Sequence, residues 1–190
     1  EQAVEDITKR SDAAIYELAY SDPLTGLPNR RRFQDQLDHA IVLSQSLGYT
    51  GGLIFLDLDN FKTLNDTKGH AQGDLLLIEV AQRIKASVRN SDVVARLGGD
   101  EFVVLLNVLR GDIETANEMA GTIAEKICIT LNQPYRLSGH THHGGASLGV
   151  ALFTRGDIDA EELLKRADTA MYQAKRAGRN TVRFYDQGTQ

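Results

Sequence analysis

The sequence VVARLGGDEFVVLL, at residues 93–106, contains two apolar runs on either side of a short polar turn. The first run alternates as a β-strand would, and residues 102–106 form the continuous apolar run of a buried strand. The pair Gly98-Gly99 permits the positive φ angles of a tight turn and a close approach of the backbone to a ligand. The pattern predicts a β-hairpin whose turn carries two adjacent acids, Asp100 and Glu101. Their like charges favour a cation nearby, although an isolated turn of this kind is more often simply solvated.

Composition bounds the class of protein. The chain has 190 residues, 42% hydrophobic and 25% charged, which predicts one globular domain with a full core and an appendage. The net charge of -5 argues against a nucleic-acid partner, and there is no apolar run of transmembrane length and no signal-peptide pattern. The single cysteine, Cys128, excludes an internal disulfide and fits a reducing compartment. We therefore expect a cytoplasmic protein, or the cytoplasmic part of a larger protein that is bound to a membrane.

Residues 1–20 are the predicted appendage, a helix separate from the globular domain at 21–190. Side chains recur at alternating spacings of three and four residues, as in a coiled-coil seam; they are Val4, Ile7, Ser11, Ala14 and Leu18. Two interpretations stay open: the helix packs on its own domain, or it ends a signalling helix that joins two protomers. Because the chain begins inside this helix without a methionine, we expect a piece of a longer protein. In the second interpretation, the part missing upstream of this piece is a sensor.

Turn-forming residues fill positions 21–30. Asn29 is predicted to cap a helix whose first turn contains three arginines, at 30–32. The helix dipole disfavours cations there, so these arginines need acidic partners, and Asp22 is one candidate.

Residues 53–59, LIFLDLD, are the most apolar strand candidate and are predicted to be central in the sheet. A carboxylate in so apolar a run should not be buried without a partner. Asp57 is the better metal ligand, and Asp59 is the better cap for the next segment, Asn60-Phe61-Lys62. That segment is predicted to be a short helical turn whose N–H groups could cradle phosphate oxygens, with Lys62 adding charge.

The remaining pattern predicts an α+β domain with a central, mostly antiparallel sheet covered by helices. Residues 65–70 are predicted to be a loop, and Asp74 to head a long helix. Later elements are a helix at 112–131, a hairpin formed by 135–137 and 145–153 with His140, His142 and His143 in its loop, a helix opening at Asp159, and a last strand at 181–185.

The run Arg96-Leu97-Gly98-Gly99-Asp100-Glu101-Phe102 resembles the signature of the GGDEF family, the diguanylate cyclases. Asp57-x-Asp59-x-Phe61-Lys62 resembles a strand end of that family, and Asp22-x-Leu24-Thr25 resembles the turn that opens its domain. The resemblance extends from about Asp22 to Tyr185. It implies the fold of the nucleotide polymerase palm and class III nucleotide cyclases, and an enzyme that condenses two GTP into cyclic di-GMP and two pyrophosphates.

The resemblance also implies the roles of individual residues. Asp57, Glu101 and the Leu58 carbonyl would hold two Mg²⁺ ions, with Mn²⁺ as an alternative, and Asp100 would be a base or a further ligand. The guanine would meet Asn65 and Asp74, and a carboxylate suits guanine because it accepts from two adjacent donors. The residues implied to contact GTP are Phe61, Lys62, Asn65, Asp74, Gly98, Gly99, Lys175 and Arg179.

Regulation and assembly follow from the same resemblance. Because one such site holds one GTP, two domains must face each other, and activity would need a homodimer. Arg89-x-x-Asp92 stands where many family members bind the product, cyclic di-GMP, as an inhibitor. Some relatives complete that site with an arginine on the next helix, whereas residues 112–130 here offer only Lys126.

Two other functions remain open at this point. The domain could bind cyclic di-GMP through Arg89 and Asp92 without catalysis. It could also bind GTP and regulate a neighbouring phosphodiesterase domain.

Overall fold

The computed structural model describes residues 2–156 and 158–186, apart from the side chains of residues 3 and 4. Five of its strands form one sheet, in the order β2-β3-β1-β6-β7. β1 is antiparallel to β3 and β6, β2 is antiparallel to β3, and β6 and β7 run parallel, so the predicted α+β class is confirmed. The elements are α1 (Gln2–Tyr20), α2 (Arg30–Leu47), β1 (Thr50–Leu58), α3 (Phe61–Lys68), α4 (His70–Ser87), β2 (Val93–Gly98), β3 (Glu101–Leu109), α5 (Ile113–Leu131), β4 (Tyr135–Leu137), β5 (His140–His142), β6 (Ala146–Phe153), α6 (Ala160–Arg176) and β7 (Val182–Phe184).

β1 lies at the centre because both of its faces are apolar. Ile54 and Leu56 pack into the core shared with α4 and α5, while Leu53 and Phe55 point to the opposite face, against α2 and α6. α6 lies directly on β6 at Gly149, where any side chain would collide with the backbone of α6. The lack of a side chain at Gly149 therefore lets α6 pack close to the sheet.

The predicted hairpin between residues 135–137 and 145–153 is wrong. β4 pairs with β5 in a separate two-stranded sheet, whereas β6 pairs with β1 and β7. His140 and His142 consequently lie on a strand and not in a loop. β5 was hidden in the sequence because its three residues, His-Thr-His, have no apolar alternation.

The predicted loop at residues 65–70 is also wrong. α3 continues to Lys68 and α4 begins at His70, so Gly69 alone separates the two helices, with a φ of 88°. Asp74 therefore lies in the second turn of α4 and does not head it.

α1 contacts the rest of the domain mainly near its C-terminal end. The Arg31 guanidinium lies 5.0 Å above the Tyr20 ring, and Asn29 Nδ2 donates to the Ala19 carbonyl. Among the residues of the predicted seam, Ile7 and Leu18 are 68% and 82% exposed. The Val4 side chain is outside the described residues. Their own domain does not cover Ile7 and Leu18. No helix in the described ranges is both long and apolar enough to cross a bilayer.

Candidate active site

The hairpin turn and the end of β1 meet at one edge of the sheet. In the register of β1 and β3, Asp57 is opposite Glu101, and the Leu58 amide donates to the Asp100 carbonyl over 3.3 Å. Gly98 and Gly99 have φ angles of 142° and 50°, as the sequence predicted for the turn. The register of the sheet thus brings Asp57 beside the adjacent acids Asp100 and Glu101, which lie more than 40 residues later in the sequence.

Lys175, near the C-terminal end of α6, reaches the same edge. Its Nζ lies 2.9 Å from Asp57 Oδ1, and the side chains of Lys175 and Asp57 are only 25% and 14% exposed. The resemblance assigned Lys175 to a triphosphate, whereas here it forms an ion pair with the carboxylate that was predicted to bind metal. One ammonium group thus supplies part of the positive charge that the acids require.

Burial and the charge of Asp57 raise the pKa values of the acids around it. Burial, followed by the hydrogen bond and the charge of Asp57, raises the pKa of Asp100 to about 7, against the opposing charge of Lys175. Burial and the charges of Asp57 and Asp168 also raise the pKa of Glu101, which Arg30 and Lys175 oppose. Lys175 therefore neutralises the negative charge of this edge only in part.

Asp168 is a member of this acidic edge that the sequence analysis missed. Burial and the charge of Asp57 raise its pKa, and Lys175 opposes the shift. Asp168 precedes Lys175 by seven residues, which is two turns of α6, so both lie on one face of that helix. The spacing of seven residues could have indicated that Asp168 lies on the same side of α6 as Lys175, but Asp168 belongs to no recognisable motif.

These residues fit a divalent cation in part. Within the described ranges there is no group of three His, Cys, Asp or Glu side chains placed to hold a metal ion. Nevertheless, Asp57 and Asp100 are neighbouring carboxylates, and burial, together with the hydrogen bond and the charge of Asp57, raises the pKa of Asp100 to about 7. Oxygen donors with an excess of negative charge suit Mg²⁺ or Mn²⁺. Asp57 and Asp100 therefore supply part of a cation site. Glu101 and the Leu58 carbonyl adjoin them in the chain and could supply further oxygen ligands.

Asp59 does not cap the next helix as the sequence suggested. The residue before α3 is Asn60, which has a φ of 59° and makes no side-chain cap. The Asp59 carboxylate turns inward instead, where it accepts from Ser147 Oγ over 2.7 Å and from the Asn180 amide over 2.8 Å. It therefore joins the end of β1 to the segment after α6, which carries Arg179.

The residues predicted to bind guanine lie at the junction of α3 and α4. Asn65 Oδ1 is buried and has no hydrogen-bond partner among the described residues, and it lies against Gly73, where any side chain would collide with it. Asp74 is exposed one residue farther along α4, Phe61 packs partly into the core, and Lys62 is exposed. A buried acceptor without a donor is costly, so Asn65 favours a ligand that donates hydrogen bonds.

Asp22 does not pair with the arginines of α2; its partner is Arg96 of the hairpin. Arg96 Nη1 lies 3.0 Å from Asp22 Oδ1, while Arg96 Nε and Nη2 donate to the Gly99 carbonyl over 3.0 and 2.8 Å. Burial alone would raise the pKa of Asp22, but hydrogen bonds from Thr25 and the charge of Arg96 outweigh it and lower the pKa. This network links the turn after α1 to the glycines of the hairpin, a positioning role for Arg96 that the sequence did not reveal.

The predicted inhibitory pair, Arg89 and Asp92, lies away from the acidic edge. The Asp92 side chain is fully buried and accepts from the Arg89 amide, from Arg89 Nε and Nη2, and from the Asn107 amide, at 2.8 to 3.2 Å. Arg89 Nη2 also donates to the Asn107 carbonyl over 2.7 Å, and its bond with Asp92 raises the pKa of Arg89. A cavity of about 450 Å³ beside the pair is lined in addition by Gln36 and Lys85. Arg89 thus faces a cavity, while Asp92 is occupied in holding β3.

Comparison with known proteins identifies the family and the fold. MucR of Pseudomonas aeruginosa, named as a bifunctional diguanylate cyclase/cyclic di-GMP phosphodiesterase, is 45% identical over 177 residues, which are 93% of this chain but 25% of MucR. The solved GGDEF domain of TpbB (YfiN) from the same organism is 40% identical with a TM-score of 0.82, covering 88% of this chain and 95% of that one. The coiled coil and GGDEF domain of DgcB from Caulobacter crescentus, solved with c-di-GMP, is 30% identical with a TM-score of 0.86, covering 96% and 94%. Residues 19–181 match the family described as "Diguanylate cyclase, GGDEF domain", and the chain belongs to that family.

Proposed function

We propose that this chain is a diguanylate cyclase domain, which condenses two GTP molecules into cyclic di-GMP and two pyrophosphates. The observation that carries the proposal is the pair of carboxylates, Asp57 and Asp100, at the ends of adjoining strands. The pKa of Asp100 is raised to about 7. Perturbed carboxylates of this kind are typical of catalytic sites. The family and the relatives described above support the same reaction.

The reaction consists of two equivalent steps. In each step the 3′-oxygen of one GTP attacks the α-phosphorus of the other, the bond to the bridging oxygen breaks, and pyrophosphate leaves. When Mg²⁺ or Mn²⁺ is bound by Asp57, Glu101 and the Leu58 carbonyl, it would polarise the α-phosphate and stabilise the leaving pyrophosphate. Asp100 would accept the 3′-hydroxyl proton or serve as a further ligand, and its pKa near neutrality suits the first role.

The substrate would lie between α3, the hairpin turn and the end of α6. Asn65 Oδ1 and Asp74 would accept from the guanine N1–H and N2–H₂, which gives the unpartnered Asn65 oxygen its donor. Lys175 would turn from Asp57 to the triphosphate when a cation takes over the charge of Asp57, and Arg179 would add a second cation. Gly98 and Gly99 let the backbone approach the nucleotide, and the α3 backbone and Lys62 lie beside the phosphates.

Two copies of the chain would face each other, because each site as built holds one GTP. Exposed apolar side chains on α1, Ile7 and Leu18 among them, suit a coiled coil between the copies. DgcB was solved with a coiled coil joined to its GGDEF domain. An upstream sensor that changes the pairing of α1 would then control synthesis, and the linkage of Asp22 through Arg96 to Gly99 would connect α1 to the catalytic turn.

Product inhibition would act through Arg89. Its side chain is 41% exposed at the cavity, whereas Asp92 is fully buried. We therefore infer that Arg89 contacts cyclic di-GMP and that Asp92 orients the Arg89 side chain.

The direct test is incubation of the chain, at high concentration, with GTP and Mg²⁺, followed by chromatographic separation of the nucleotides. We expect cyclic di-GMP from the wild-type chain and none from Asp100→Ala. A second version, with a dimeric coiled coil fused in register with residues 4–18, supplies the dimer if the chain alone is monomeric. A fused dimer that makes no cyclic di-GMP contradicts the proposal.

The same experiment identifies the alternative, a domain that binds nucleotide and regulates a neighbouring phosphodiesterase. The length of MucR beyond this chain, and its bifunctional name, favour this as the second candidate. Tight binding of cyclic di-GMP or GTP by a fused dimer without synthesis is the outcome that it predicts.

A further inference from the structure

Asp59 is a buried carboxylate that the proposed chemistry does not use. It is 7% exposed, and both of its oxygens are occupied: Oδ1 accepts from Ser147 Oγ and Oδ2 accepts from the Asn180 amide. Its own amide donates to the Gly145 carbonyl over 2.9 Å. Asp59 is therefore held on three sides, by β6, by the residue that precedes β6, and by the segment after α6.

The segment after α6 has an unusual backbone. Gly178, Arg179 and Asn180 have φ angles of 111°, 66° and 44°, all in or near the left-handed range. Glycine and asparagine tolerate such angles, but for Arg179 they are unfavourable and persist only where surrounding contacts fix them. Two contacts do so here: the Arg179 amide donates to the Ala174 carbonyl over 3.1 Å, and the Asn180 amide donates to Asp59.

The end of β1 thus holds the end of α6 at two points. Asp57 pairs with Lys175, and Asp59, two residues later, binds the Asn180 amide. Arg179 lies between these points in the chain and is exposed, so the backbone that Asp59 holds determines where the Arg179 side chain leaves the turn.

We propose that Asp59 is a positioning residue, which fixes the left-handed turn at 178–180 and so directs Arg179 at the triphosphate of the bound nucleotide. This inference rests on the proposed function, in which Arg179 binds phosphate. A charge-assisted bond from a guanidinium to phosphate depends strongly on direction, so a turn that relaxes would lose that bond and leave the guanine contacts intact.

The test compares binding of two probes by calorimetry: guanosine 5′-(α,β-methylene)triphosphate, in which the α-phosphate bridge cannot be cleaved, and guanosine, which has no phosphate. Asp59→Ala should weaken binding of the triphosphate by about tenfold and leave guanosine binding unchanged. Asp59→Asn should restore triphosphate binding, because its oxygen still accepts from the Asn180 amide and its amide group can donate to Ser147 Oγ.

Two further variants separate positioning from a loss of stability. Ser147→Ala removes the other bond of Asp59 and should lower the melting temperature without weakening triphosphate binding. The double variant Asp59→Ala/Arg179→Ala should bind the triphosphate as Arg179→Ala does, because Asp59 acts through Arg179. Additive losses in the double variant, or equal losses for guanosine and the triphosphate in Asp59→Ala, overturn the proposal. Wild-type protein that binds neither probe refutes the proposed function as well, whereas normal binding by Asp59→Ala refutes the positioning role alone.

Discussion

Two acidic sites in this molecule differ in how their charge is satisfied. At the end of β1, Asp57 and Asp100 adjoin each other with one nearby ion-pair partner, Lys175, and the pKa of Asp100 rises to about 7. At the start of β2, Asp92 is buried more deeply, yet it accepts four hydrogen bonds from Arg89 and the Asn107 amide. Burial alone therefore does not distinguish a functional acid from a structural one.

The difference lies in the number of donors. A buried carboxylate with a full set of donors contributes to the fold, and its removal leaves those donors unsatisfied. A group of carboxylates with too few donors is destabilised by its own charge, and a cation relieves it. We therefore expect the first site to be required for activity and the second mainly for stability.

The largest effect is expected at Asp57. Asp57→Asn should lower the rate of cyclic di-GMP synthesis by about 10³-fold or more, because it removes a charged oxygen from the expected cation site. Its free energy of unfolding, from urea titration, should stay within about 1 kcal/mol of wild type, since the repulsion with Asp100 disappears together with the Lys175 pair. If Asp57→Asn is stable and synthesises cyclic di-GMP at the normal rate, the acids at the end of β1 are not specifically required for activity.

Asp92 should show the reverse behaviour. Asp92→Ala is expected to lower the free energy of unfolding by about 2 kcal/mol, because two backbone amides and Arg89 lose their acceptor. Synthesis per folded molecule should remain at the wild-type rate. Urea titration and a synthesis assay on the same sample give both values, and a stable but inactive variant would contradict this assignment.

Arg89 sharpens the comparison, because it connects the structural acid to a cavity. Arg89→Ala should raise the concentration of cyclic di-GMP needed for half-inhibition by about tenfold, through loss of a charged donor, and spare the uninhibited rate. Lys85→Ala, at the same cavity, is the matched control for loss of a positive charge alone. Unchanged inhibition by cyclic di-GMP in Arg89→Ala would contradict the proposal that the product binds at this cavity.

The smallest effect is a pH dependence of stability caused by Asp100. Its pKa rises from 3.8 to about 7, so the folded chain keeps a proton that the unfolded chain has released, and stability falls as the pH rises through this window. Asp100→Asn has no carboxyl group to lose a proton, so its stability does not fall in this way. With a chelator present, it should gain about 1 kcal/mol relative to wild type between pH 4 and pH 7, a value reduced for the partial exposure of Asp100. Urea titrations at several pH values measure this gain, and a difference that does not change with pH would show that the pKa of Asp100 is not raised in the folded chain.

The sequence predicted the elements better than their contacts. The hairpin, its glycine turn and the central strand were evident because their apolar runs and turn residues are local signals. The pairing of β4 with β5 was not evident, since the sequence HTH has no alternation of apolar and polar residues. The segment at 65–70 was predicted to be a loop, but there two helices meet at Gly69.

Partners of charged side chains were the least predictable feature. Asp22 pairs with Arg96, which is 74 residues away, and Asp59 binds the amide of Asn180, which is 121 residues away. Such contacts depend on how strands and helices are arranged in space, and no local spacing encodes them. The family resemblance supplied the site residues, whereas Arg96, Asp168 and the inward direction of Asp59 emerged only from the three-dimensional arrangement.

The central claim is that Asp57 and Asp100 form a cation site, and binding of Mn²⁺ measured by electron paramagnetic resonance at pH 8 tests it most directly. The measurement uses the uncleavable GTP analogue, with the wild-type chain, Asp57→Asn and, as the control for a buried acid elsewhere, Asp92→Ala. We predict that the wild type and Asp92→Ala bind Mn²⁺ with similar affinity and that Asp57→Asn loses this binding. Binding by Asp57→Asn that is as tight as that of the wild type would contradict the account.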